Sequence, residues 1–440
     1  MASATDRQPQ PRPRRFRPAL AAIVATCAVA GFLWLLVLSD SPTVSDPGPP
    51  DAAAVADARA LAETMRDFVV AEAAQGVLIF EQDQVGAALA SARRVLPGFL
   101  GRFAIEGDLA KMELSAGGPV LPTGHWVNLS LELAASEDGL DVVSARIGDL
   151  ALPAVLVMPA ARFALDRYLG DGLGSEALDA ISAVDLEGSA MKMSFAFPGG
   201  EDTGTFFERL RSRLHVIAGG EDSERVHTHL WWLHETEFDV EDGLVPFLRH
   251  VVETAGRLSD GDDRAELRSA LFALGLYCGD ALLGEAAGIR PNPRYLEENG
   301  CESVTLRDRR DLRKHFTISA ALYAMRSDAA ILGVGEIKEL LDSGSGGSGF
   351  SLDDMAANAS GLRFAAEFLG APASDWPDML DLIRTDDDIL PPLDGLDVGM
   401  SAAEFEARYG DIDSPAYAAA LAKIERRIDV LPIYARGRVN

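Results

Sequence analysis

The run from Asp311 to Gly361 concentrates the side chains that could do chemistry. It reads DLRKHFTISAAL and, after a short gap, GVGEIKELLDSGSGGSGFSLDDMAANASG. Asp311 and His315 are four apart, hence on one helix face, where a carboxylate can orient an imidazole. Phe316, Ile318, Ala321 and Leu322 supply the apolar side of that helix. Glu336 and Glu339 lie three apart on a following helix, with Lys338 between them. Ser351 then stands three residues before Asp354 in a capping-box arrangement, and Asn358 shares Asp354's face one turn on. Three consecutive helices thus bring His315, Glu339, Asp354 and Asn358 within range of one another. A histidine with two carboxylates can ligate a divalent metal or perform acid–base catalysis. His315, Glu339 and Asp354 are the candidate ligands or general base, and Asn358 the residue that positions substrate. The same residues also admit a structural account, with Asp354 capping its helix, Asn358 bonding a carbonyl and the glutamates in water.

Other chemistry is poorly supported. His227, His229, His234 and His250 invite a zinc reading, but His227 and His229 point to different sides of a helix. His234-Glu235 lacks the second histidine that a metalloprotease helix carries. These read as ordinary helix histidines, with Trp231 and Trp232 packing beside them. The chain has no Gly-x-Ser-x-Gly, no Walker loop and no dinucleotide fingerprint in a strand–turn–helix setting.

The order D-x-x-x-H-F, G-x-x-K-E-x-x-D, S-x-x-D-x-x-x-N-x-x-G resembles the motif set of YfiM-type lipoproteins and, more distantly, of VanZ-like membrane proteins. The matching residues are Asp311, His315 and Phe316, then Gly335, Lys338, Glu339 and Asp342, then Ser351, Asp354, Asn358 and Gly361. The resemblance covers residues 311–361 only and implies a cell-envelope protein. It departs from the VanZ-like pattern in having no membrane-spanning helices there. The glycine loop also replaces the usual arginine before Ser-x-x-Asp.

The elements around this stretch follow from composition. The first eighteen residues hold Arg7, Arg12, Arg14, Arg15 and Arg17 against Asp6, and residues 19–38 carry no charge. Twenty apolar residues span about 30 Å as a helix, the thickness of a bilayer core. The reading is a single membrane anchor with its basic tail in the cytoplasm and the remainder outside it. A cleaved signal lacks a good small-x-small site, and a lipoprotein signal at Cys27 is overrun by the apolar stretch. The chain carries a formal charge of −28, and setting the basic tail aside leaves 35 basic against 67 acidic side chains. Such a surface excludes nucleic acid as a partner and favours cations or basic partners. Outside the span, Cys278 and Cys301 form the one extracytoplasmic pair, expected as a disulfide.

Residues 39–51 read as a Pro-rich linker that holds the body off the membrane. From 52 to 200 the pattern is α+β. Helices are expected near 52–74, 82–95 and 155–169, and period-two strands at 77–80, from 103, at 127–133, 140–147 and 191–197. These suit one antiparallel sheet with helices on a face. From 201 to 440 the chain reads as mainly α-helical, including helices at 263–285, 308–326, 329–342, 352–368 and 401–428. GSGGSG at 344–349 is the one low-complexity piece.

The expected whole is a bacterial inner-membrane protein, single-pass, with its bulk in the periplasm. Its function falls into one of two classes. One is a non-enzymatic envelope module that binds a lipid, glycan or protein. The other is a metal-assisted or acid–base enzyme acting on a cell-wall or lipid-linked substrate through His315, Glu339 and Asp354.

Overall fold

The computed structural model describes residues 36–435 except 97, 118–123, 171, 198–200, 218–222, 240–242, 282, 285–288, 290–291, 298, 326–337, 340–341 and 344–346. It is α+β, with antiparallel sheets first and a helical region after them. The sheet region begins with β1 (Leu38–Ser39), α1 (Ala52–Ala71), β2 (Gln75–Glu81) and α2 (Gln82–Val95). Five strands follow: β3 (Phe99–Glu106), β4 (Leu109–Gly117), β5 (Trp126–Ala134), β6 (Asp141–Ile147) and β7 (Leu150–Ala151). Helices α3 (Ala154–Leu169) and α4 (Leu173–Ala180) lead into β8 (Ile181–Glu187) and β9 (Ala190–Ala196).

The single sheet expected from the alternation is two sheets. One runs β3-β4-β5-β6-β7, with β1 also on β5, and the other runs β2-β9-β8. The second exists because β2 pairs along its whole length with a strand more than a hundred residues later, from Gln75↔Ala196 to Glu81↔Ala190. Alternation predicts which face of a strand is apolar but not its distant partner. Leu61, Val85, Phe103, Ala110, Leu133, Val184 and Met191 fill the core between these elements.

The N-terminal boundary also moves. Residues 1–35 lie outside the described residues, and among the described ones no helix is long and apolar enough to cross a membrane. Leu38, the last residue of the expected span, is in a strand instead. It pairs with Val127 while Ser39 pairs with Trp126, on the edge of β5 beyond the point where β6 stops at Leu129↔Ile147. The stretch expected as a spacer is tied to the same sheet. Thr43 N donates to Asn128 Oδ1 at 3.1 Å and to Ser115 Oγ at 3.2 Å, and Asn128 Nδ2 donates to the Ser41 carbonyl. Ser115 and Asn128 are buried polar groups of the sheet, and this crossing chain satisfies them.

The helical region comprises α5 (Glu201–Ile217), α6 (Ser223–Glu235), α7 (Val245–Leu258), α8 (Asp263–Leu274), α9 (Pro293–Glu297) and α10 (Arg310–Met325). After these come α11 (Leu352–Gly370), α12 (Trp376–Leu380), α13 (Ala402–Tyr409), α14 (Pro415–Ile428) and α15 (Pro432–Ala435). Its large core takes in Phe316, Phe350, Phe364, Phe368, Trp376, Tyr417 and Tyr434. At about 1.5–3 kcal/mol per fully buried large apolar side chain, this is the main term holding α10 and α11 together.

Two expected helices are shorter. The 401–428 helix breaks at Gly410, whose φ of +83° suits glycine, and restarts where Ser414 caps Tyr417 N with Pro415 in the first turn. The 263–285 helix ends at Leu274 and passes into one π-helical turn, Gly275–Gly279. That turn carries Cys278, whose sulfur is bonded to that of Cys301, 23 positions later in the sequence. Arg313 of α10 is buried and donates to the Cys301 carbonyl, so the cross-link abuts the helix that bears His315. Replacing both cysteines by alanine is expected to lower stability by about 3 kcal/mol on the loop-entropy model. Urea titration checks this, and a count of free thiols in denaturant should find only Cys27 reactive.

The sheet and helical regions are clipped together by ion pairs. Arg93 and Arg94 of α2 pair with Asp413 at 3.0 Å and 2.6 Å, between α13 and α14.

Candidate functional site

The site depends on how closely α10 and α11 approach. Gly361 of α11 faces the backbone of α10, where an added Cβ would lie 2.8 Å from the Phe316 carbonyl carbon and nearer still to its oxygen. Only glycine allows the axes to come this close, which sets His315 and Ser319 of α10 against Asn358 of α11. His315 Nδ1 is 3.1 Å from Asn358 Oδ1, and Ser319 Oγ donates to the same oxygen at 3.0 Å. An oxygen that already accepts from a hydroxyl accepts from the imidazole as well, so Nδ1 carries the proton. Nε2 then carries a lone pair that can accept a hydrogen bond or ligate a cation.

That lone pair points at two buried carboxyl groups. Asp354 Oδ2 is 3.5 Å from Nε2 and Glu339 Oε1 is 3.7 Å from it. His315, Glu339 and Asp354 each offer one donor atom, all within 4.8 Å of one another, and all three residues are buried. Lys338 Nζ donates to Nε2 at 3.3 Å and also reaches Glu339 at 3.5 Å and Asp342 at 2.6 Å. The Lys338 side chain is 48 % exposed, so the cluster lies one side chain from solvent.

Local chain features free each of these groups for the cluster. Ser351 stands at the N-cap of α11, but its hydroxyl accepts from Gly399 N at 3.0 Å instead of capping the helix. Asp354 is therefore not drawn back into a capping box, and it faces His315. Glu339 is not a solvated surface glutamate: it is fully buried, and its Oε2 accepts from Ser351 N at 3.1 Å. Gly349 brings this connection against Gly399, with φ at +92°, so the described part of the glycine loop is a packed crossing of two backbones. Phe350 and Met400 bond to each other on the next residues.

Asp311, expected to orient His315, pairs with Arg309, and Asn358 performs the orienting instead. Arg309 also binds Asp353 and reaches Asp354 Oδ1 at 3.3 Å. Glu336 lies outside the described residues.

Burial dominates the electrostatics. It pushes Glu339 up to about 8; Lys338 opposes this, and Asp354 adds to it. Burial likewise raises Asp354 to about 7, helped by the charges of Asp353 and Asp311 and opposed by Arg309. His315 is lowered to about 4 by burial and by the Lys338 ammonium. Two carboxyl groups that hold protons near neutrality, facing an imidazole that refuses one, form a site short of positive charge.

Spacing brought forward His315, Glu339, Asp354 and Asn358, and the structure gathers all four. It did not mark Ser319, Arg309 or a role for Lys338. Ser319 could have been found, since it lies four residues after His315 on the same face. A second buried polar group went unread in α6. His229 Nε2 lies 2.8 Å from Glu266 Oε1, and Arg225 reaches the same carboxylate at 3.1 Å. This pair, with Arg225 attached, joins α6 to α8 within the core.

No protein-family model, curated protein or solved structure matches this chain.

Proposed function

We propose that the helical region holds a divalent transition metal through His315 Nε2, Glu339 and Asp354. The observation that carries this reading is the imidazole whose Nδ1–H is committed to Asn358, leaving its Nε2 lone pair aimed at two buried carboxylates. This is the arrangement by which a hydrogen-bonded oxygen orients a ligating histidine. Donors on a four-coordinate ion with bonds near 2.0–2.1 Å stand about 3.3 Å apart, so 3.5 Å and 3.7 Å suit one cation once the donors, all within 4.8 Å of one another, draw in and Lys338 Nζ moves off Nε2. A divalent charge also supplies what the raised carboxyls lack.

Three protein donors with a fourth position left over form the donor set of a reactive centre rather than of a closed structural one. The ion would polarise a water or a substrate oxygen as a Lewis acid. Lys338, at the solvent side, would meet an anionic group on the substrate. We place this centre in a body tethered to the bacterial inner membrane by the apolar run of residues 19–35, on the periplasmic side. Its substrate class is then a cell-wall or lipid-linked compound.

One observation favours a second reading. The Lys338 ammonium is within 3.3 Å of Nε2 and 3.5 Å of Glu339, and so can serve as the cluster's own cation in a non-enzymatic envelope module.

Cobalt(II) titration of the purified full chain separates the two. The metal reading expects one equivalent bound, with visible bands of four- or five-coordinate cobalt that vanish in His315→Ala. If no cobalt binds, or if the alanine variant binds it equally, Lys338 is the resident cation.

A further inference from the structure

We infer that α3 lies in the membrane interface, its outward face covered by lipid. This inference rests on the proposed anchor at residues 19–35 and is independent of the metal centre. Val155 is 77 % exposed, Leu156 53 %, Phe163 74 % and Tyr168 61 %. At about 100° per residue, Val155, Leu156, Pro159, Ala160 and Phe163 share an arc of about 140°, while Val157 is buried on the other side. Scattered exposed apolar side chains are ordinary, but a continuous helix face of them marks a covered surface. The apolar face runs from Val155 to Phe163; Arg162 lies at its edge, and Asp166 and Arg167 follow on the same arc one turn beyond Phe163, at the end of the helix. Arg162 pairs with Asp179, and Asp166 accepts from Ser175 N at 2.8 Å, both partners lying in α4. Arg167 is exposed and closes the apolar face at its C-terminal end.

The place where the N-terminal run leaves the sheet identifies the cover. Asp149 N donates to the Leu36 carbonyl at 2.8 Å. Gly148, at φ +57°, lies so close to Leu36 and Val37 that a Cβ there would strike their carbonyls. Leu36 is therefore fixed against the turn between β6 and β7, and α3 starts five residues after Asp149, at most about 17 Å of chain away. The following chain adds no slack, because Thr43 and Val44 are bonded to the sheet. A bilayer that holds residues 19–35 must then lie beside the start of α3. The helix has 16 residues and contains Arg162, Asp166 and Arg167, so it suits lying in the interface plane rather than spanning the bilayer. With a single exposed arginine at the end of this face and a strongly acidic chain behind it, its attachment is through apolar side chains rather than anionic headgroups.

The test uses the full chain in phosphatidylcholine nanodiscs, with Cys27→Ser and a nitroxide on Phe163→Cys or, as a control, on Asp378→Cys, an exposed site of the helical region. Phe163 packs little, so its replacement leaves the fold intact. Power saturation with oxygen and with a water-soluble nickel complex reports lipid or water at the label. The expected result is an oxygen-to-nickel collision ratio several-fold higher at 163 than at 378, unchanged when anionic lipid is added. Equal ratios, with nickel favoured at both sites, would overturn the inference. So would a label at 163 shielded from both reagents, which means protein covers the face. A chain that fails to co-purify with the discs removes the anchor itself, and α3's placement with it.

Discussion

Glu339→Gln is expected to weaken divalent-metal binding by roughly 100-fold or more, because a neutral amide replaces a charged ligand. The amide oxygen can still accept from Ser351 N, so the connection to α11 is kept. The metal-free protein should respond in the opposite sense. In the folded, metal-free chain the Glu339 carboxyl keeps its proton up to about pH 8, against an ordinary value of 4.5. The folded state thus binds the extra proton across that interval. Its contribution to stability is complete below pH 4.5 and is lost as pH rises through about 8. One such group weakens the fold by about 1.4 kcal/mol per pH unit within the window. Asp354, raised to about 7, acts in the same direction. His315 is lowered to about 4 and acts oppositely, but only below its ordinary 6.5. Between pH 6.5 and 8 the carboxyls alone decide. Glutamine has no proton to lose, so in the presence of a chelator Glu339→Gln should flatten the fall in stability from pH 6.5 to 8.5. Urea titrations at those two pH values read the slope, and calorimetric metal titration reads the affinity. Parental metal affinity in the variant would remove Glu339 from the ligand set.

The same proton accounting makes metal affinity pH-dependent. At pH 6.5 an incoming ion must displace protons from both carboxyls, so affinity should climb toward pH 8, with proton release visible as a dependence of binding heat on the buffer. The two carboxyls face one another, and the midpoint observed belongs to the cluster rather than to either residue.

The four-residue spacings within α10 and α11 made the cluster legible in the sequence, since a helix fixes which side chains share a face. What spacing could not reveal was competition for each group. Ser351 and Asp354 look like a capping box until Gly399, 48 residues after Ser351, takes the serine hydroxyl. Asp311 looks like the partner of His315 until Arg309 takes the carboxylate. Both outcomes depend on residues that only tertiary folding brings near. The division into antiparallel sheets and a helical region was likewise readable from the change of period near residue 200. The pairing of β2 with β9 was not, because register between distant strands leaves no local mark. Ser115 and Asn128 fall among apolar neighbours without announcing that residues 41–44 cross over them.

Gly361→Ala is expected to be the most damaging small substitution in the helical region. Its Cβ would enter the space of the Phe316 carbonyl, which is rigid backbone and cannot rotate away. Overpacking of a well-filled core commonly costs 1–3 kcal/mol, and a methyl forced against backbone should reach the top of that range, about 3 kcal/mol. The alternative is for α11 to move off α10. That movement would open the His315–Asn358 contact one helical turn away and release the imidazole from its fixed orientation. Metal binding should then fall along with stability. Gly370→Ala, on the same helix but with open space around its Cβ, is the control and should change neither. Denaturation curves and cobalt titration on the two variants give both readings. If Gly361→Ala keeps full stability, the close approach of the two helices is not what sets the site. If it loses stability yet binds cobalt with parental affinity, the orientation of His315 does not depend on Asn358.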